Sequence, residues 1–121
     1  MKYMLMIYME ENAMSDSERA ACYVKSTDLA QRLSTDGKFI AASPLQPVAT
    51  ATSVRVREGQ RLITDGPFAE TREHLGGFYL IDVANLDEAI NVAECIPGAA
   101  VGTVEIRPVI ELEGVPPAQF A

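Results

Sequence analysis

Residues 2–9, KYMLMIYM, are apolar almost without interruption. A strand that shows water one of its faces alternates apolar and polar residues; an unbroken run suits a strand covered on both faces. The run is followed by two glutamates and no cleavage-like site, so it reads as a strand of the fold and not as a leader. Every later assignment has to supply that strand with two covering layers.

The rest of the chain supplies one. Ser15-Asp16-Ser17-Glu18 has the S-x-x-E form of a capping box, and Gly37 ends the helix it opens. Cys22, Tyr23, Leu29, Ala30 and Leu33 share about a third of its circumference at 100° per residue. KFIAASPL is a strand ending at Pro44, and ATSVRVREGQRLIT is a hairpin turning at Glu58-Gly59. GFYLIDV is a second buried strand. Asn85 with Glu88 caps a second helix with a stripe of Leu86, Ala89, Ile90 and Ala93, stopped by Pro97-Gly98. GTVEIRPVI is the last strand, and residues 111–121 form a tail.

Strand, helix, strands, helix, strand is the split βαβ pattern of an α+β, ferredoxin-like domain. Two helices cover one face of such a sheet. The other face, including Met4, Met6 and Tyr8, is left for a second copy, which predicts a homodimer built as an α+β barrel with a symmetric interface.

Charge and composition narrow the partners. A chain of 121 residues is one domain. Ten basic against seventeen acidic residues, net −7, leave no basic stripe for nucleic acid. No apolar run reaches the roughly 18 residues of a membrane span, so a cytoplasmic location is expected. Cys22 and Cys95 have neither the spacing nor the compartment for a disulfide, one histidine and two distant cysteines make no metal site, and Gly76-Gly77 lacks a phosphate-loop pattern. Neither metal nor cofactor is expected.

YMLMIYME, TDGPFAETREHLGGFYLIDV, NLDEAINVAECIP and GTVEIRPV resemble the YCII-related family, specifically its DGPF branch, over residues 1 to 110. The resemblance implies a dimeric ferredoxin-like α+β barrel in a small bacterial cytoplasmic protein. It also implies an association, within that branch, with extracytoplasmic-function sigma factors. In another branch a histidine and an aspartate meet in a pocket, which suggests enzymatic activity. Laid on that branch, this chain has Ser26 at the histidine position and Thr35 at the aspartate position. Both can hydrogen-bond, but neither accepts a proton at neutral pH.

The richest stretch is Ile63 to Asp82. Structurally, Asp65-Gly66-Pro67 is a turn capped by Asp65, residues 70–73 make one exposed helical turn, and Gly76-Gly77 admit the chain to a central strand. Functionally, Asp65, Glu70 and His74 converge at the open end of the barrel. There a carboxylate withdrawn from water acts as base and His74 shuttles a proton. Arg72 holds a carboxylate or enolate oxygen, with Ser26 and Tyr8 as further substrate-binding positions. Two classes of function fit. One is a cofactor-free enzyme doing proton transfer, isomerisation or elimination on a small molecule; the other is a non-catalytic ligand-binding or regulatory module.

Overall fold

The structure, a computed structural model, describes residues 1–69 and 71–116. Glu70, one of the candidate catalytic residues, and residues 117–121 of the tail lie outside the described residues. The elements run β1 (Lys2–Met9), α1 (Asp16–Thr35), β2 (Phe39–Pro44), β3 (Thr52–Arg57), β4 (Gln60–Asp65), β5 (His74–Asp82), α2 (Leu86–Glu94) and β6 (Thr103–Pro108). An antiparallel sheet of order β2-β5-β1-β6 carries both helices on one face, while β3 and β4 form a separate two-stranded ribbon. This α+β arrangement, with β5 inserted between β1 and β2, is consistent with a ferredoxin-like fold.

Local signals explain the element ends. Glu18 N–H donates to Ser15 Oγ and Ser15 N–H to Glu18 Oε1, both at 3.2 Å, closing the capping box. At the other end Gly37 takes φ +73°. Its N–H donates to the Ser34 carbonyl and Lys38 N–H to the Leu33 carbonyl, which satisfies two carbonyls the helix leaves open. Glu58 and Gly59, at φ +52° and +76°, make the two-residue turn of the ribbon. Asn85 Oδ1 accepts from Glu88 N–H at the start of α2.

The core lies between sheet and helices. Tyr3 and Leu5 of β1, Tyr79 and Ile81 of β5, and Leu29 and Leu33 of α1 are buried there with Ala89, Val92, Ala93 and Ile96. Two expected stripes differ in detail. On α2, Leu86 and Ile90 are exposed and Val92 is buried, because Ala89, Val92, Ala93 and Ile96 form the i, i+3, i+4, i+7 row that meets the sheet. On α1, Tyr23 is exposed and only Leu29 and Leu33 are fully buried. The opposite sheet face bears Met4, Met6 and Tyr8, with Leu80 and Phe78 beside them on β5, all half-buried. No element of the described chain is laid over it.

The connection after β4 departs from the expected helical turn. Residues 72 and 73 are bends, and β5 begins at His74, three residues before the expected strand. Side chains take up the backbone there: Thr71 Oγ1 donates to the Glu73 carbonyl at 2.6 Å, and Thr103 Oγ1 donates to Glu73 Oε1 at 2.9 Å. Among the described residues no helix is long and apolar enough to cross a membrane.

Candidate functional site

A cavity of about 580 Å³ opens between residues 19–30 of α1 and the β1, β5 and β2 ends of the sheet. Side-chain size contributes to it. Ser26 and Ala30 are among the α1 residues over the gap, and Gly76, Gly77 and Ala42 are among the sheet residues below it. Small groups on both layers leave space there, whereas Leu29 and Leu33 fill the neighbouring contact. Gly77 could not be larger, since a Cβ there would stand 3.0 Å from the Ser43 carbonyl oxygen and 3.3 Å from Pro44 Cα.

One irregularity aims the only histidine at this space. The β1–β5 ladder runs in step from Lys2↔Asp82 to Ile7↔Gly77 and then shifts, so that Tyr8 faces Leu75 and Met9 faces His74. Gly76 is the extra residue of this bulge. Side chains alternate across a sheet, so in a ladder without the shift position 74 would oppose Glu10 and lie on the far face. With the shift, His74 shares the helix-side face with Met9, and both line the cavity.

Beside the ring, Thr71 Oγ1 lies 3.4 Å from His74 Nδ1, while its own proton goes to the Glu73 carbonyl. Tyr79 is a polar group of the cavity with a fixed role. Its phenol reaches across to α1 and donates to the Ser26 carbonyl at 2.7 Å. Burial raises its pKa above the ordinary phenol value, and the Ser26 side chain works in the opposite direction.

The remaining polar groups at the mouth are largely committed. Glu10 accepts from Arg72 Nε at 2.8 Å, and Glu11 Oε1 accepts from Val48 N–H at 2.7 Å. Arg19 pairs with Asp16 at 3.2 Å. Met9, Met14 and Cys22 add sulfur to the wall, with Cys22 Sγ donating to Met14 Sδ at 3.3 Å.

Of the residues singled out in the sequence, the structure brings Ser26 and His74 to one cavity. It puts Tyr8 on the opposite sheet face, where its hydroxyl is 4.0 Å from Met6 Sδ. Asp65 ends β4 opposite Thr52, exposed and away from the described cavity walls. The turn it opens is closed by other groups: Ser53 Oγ donates to the Gly66 carbonyl, and Gly66 N–H donates to the Ala51 carbonyl, both at 2.7 Å. Arg72 is 90% exposed and paired with Glu10 outside the cavity. Thr35 lies at the far end of α1 from Ser26, about 14 Å along the axis at 1.5 Å per residue, and its hydroxyl donates to the Gln31 carbonyl. Tyr79 and Met9 were not foreseen as site residues. The available signal was the glycine pair behind His74, which marks a sheet irregularity.

Residues 1–113 match the family described as the YCII-related domain. The chain is also 36% identical over 113 residues to a protein of Rhizobium meliloti (strain 1021) that bears the name uncharacterized protein; the aligned stretch covers 89% of this chain and 91% of that one.

Proposed function

This chain belongs to the YCII-related domain family, and from that premise we propose that it binds a small, mostly apolar molecule in the cavity under residues 19–30 of α1. The observation that carries this reading is the cavity itself. About 580 Å³ falls within the usual range of small-molecule sites, and a largely apolar wall with a few polar groups, here an imidazole among them, is their usual composition. A compact ligand with a ring or short aliphatic body and one hydrogen-bonding head fits it, the head at the His74 ring and the body against Met9, Met14 and Ala30. Whether such a protein works as a binding or regulatory module beside a sigma factor turns on the fate of that ligand.

His74 favours a second reading, cofactor-free proton transfer on the bound molecule. It lines the cavity, and an imidazole ring can both take and return a proton. A single base that removes and returns a proton suffices for an isomerisation. In this reading His74 is the base and Ser26 a binding residue. Asp65 and Glu70 are the further candidate bases of this reading, and Arg72 a candidate to hold a carboxylate or enolate oxygen. The protein acts as a homodimer through the sheet face that bears Met4, Met6 and Tyr8, in the cytoplasm.

A thermal-shift screen of small aromatic and carbonyl compounds against the wild type and Ala30→Phe tests the site. The phenyl ring fills the cavity from the helix side. Compounds that bind there stabilise the wild type, by about 2.7 kcal/mol at a hundred times Kd, and leave Ala30→Phe unmoved. Hits that stabilise both proteins equally would place the binding elsewhere and end the proposal.

A further inference from the structure

The β3–β4 ribbon is the part of the chain that the fold leaves unused. Every strand residue except Ser53 is exposed, and neither strand makes more than incidental contact with another element of the described chain. A lone two-stranded hairpin is marginal in water, and this one turns apolar side chains outward. Val54 faces Ile63 across the ladder with Val56 two residues on, so the three form one strip, each more than half exposed. At the base, Phe68 is 74% exposed under the Arg55 guanidinium, 5.1 Å from its ring centre.

The charge of the ribbon also differs from that of the body. Residues 52–65 carry Arg55, Arg57 and Arg61 against Glu58 and Asp65. Of ten basic and seventeen acidic residues, the remainder therefore keeps seven and fifteen, so a ribbon of net +1 projects from a body of net −8. Among the described residues none of the three arginines pairs with a carboxylate.

We infer that the ribbon is an arm that closes on a second copy of this chain, burying the Val54–Val56–Ile63 strip. Arg61, which faces Val56 on the same side, is brought against the acid-rich body, and Arg55 and Arg57 on the other side add to the arm's positive charge. This rests on the homodimer reading above and adds to it. Two bodies of net −8 repel each other, and a net basic arm laid on each offsets part of that repulsion. In a twofold pair each arm is received by the body of the other copy, which satisfies both sets of unpartnered surfaces at once.

Sedimentation equilibrium of the full chain over a range of salt separates the possibilities, using the wild type and the triple variant R55E/R57E/R61E. The three sites are solvent-exposed, and circular dichroism confirms that the variant folds. With arms on acidic bodies, the wild-type Kd rises with salt as the attraction is screened. The triple variant dimerises at least about tenfold more weakly and its Kd falls with salt. A second variant, V54S/V56S/I63S, weakens the dimer by a similar factor while keeping the wild-type salt dependence. If both variants dimerise as tightly as the wild type, the arm inference fails and the homodimer stands. A wild type that stays monomeric at every concentration removes both.

Discussion

Two rows of α1 lie over the same sheet and meet it in opposite ways. Leu29 and Leu33 sink into a core with Leu5 and Ile81, and the helix is fastened to its support. Cys22, Ser26 and Ala30, spaced four apart, lie across from Gly76, Gly77 and Ala42, and the space is left open. Helix and sheet continue without a break through both; only side-chain volume changes. A cavity of ligand size therefore needs no lid or special loop, only a run of small residues on two facing layers and a firm packing contact beside it to hold them apart.

The sharpest way to break the comparison is Leu33→Ala. It removes a buried side chain from the fastening row and is expected to cost about 2–5 kcal/mol in a denaturant melt. Ser26→Ala in the open row should stay within about 0.5 kcal/mol of the wild type in the same experiment. If Ser26→Ala proved as costly as Leu33→Ala, the open row would be packed after all.

Deleting Gly76 tests what orients His74. Loss of the extra residue restores an even ladder in which Leu75 still faces Tyr8 and His74 still faces Met9, so the imidazole keeps the helix-side face. The fold should survive at a cost of about 0.5–3 kcal/mol. The imidazole resonances of the deletion variant should shift on adding a cavity ligand as those of the wild type do. A deletion variant whose His74 no longer reports the ligand would show that strand register alone does not aim it.

A smaller effect than those of Leu33→Ala and the Gly76 deletion belongs to the strut from the sheet to the open row. Tyr79→Phe loses the hydrogen bond to the Ser26 carbonyl and is expected to cost about 0.5–1.5 kcal/mol. Its pH dependence has a definite sign. The folded-state pKa of Tyr79 lies above the unfolded value of 10.0, so the folded protein holds its proton longer. Wild-type stability is thus complete below pH 10, falls as pH rises from there towards the raised folded pKa, and then levels off. Tyr79→Phe lacks that loss, and the stability gap between the two proteins should shrink above pH 10. A gap that stays constant would mean that the phenol is not held in a buried, neutral form.

Much of the fold was legible because its signals are short-range. The capping box at Ser15 and Glu18, the left-handed Gly37, the Glu58-Gly59 turn and the Asn85 cap each act within a few residues, so the sequence around them determines them. The apolar run of β1 likewise announced a sheet with more apolar surface than two helices cover. The site was legible only in part. Ser26 and His74 reach one cavity, whereas Tyr8 points to the other side of the sheet and Arg72 turns out to Glu10.

Tertiary structure decided the rest, because those features depend on residues far apart in the chain. The face that His74 takes depends on how β5 registers against β1, some 65 residues away, and one bulged glycine reverses it. The cavity depends on small residues of α1 meeting small residues of β5 and β2, a coincidence of volumes that no local pattern carries. That β3 and β4 stand clear of the body is likewise settled by what the other elements leave uncovered. Propensity and capping act along the chain, but register, volume and exposure arise between segments and exist only once these have met.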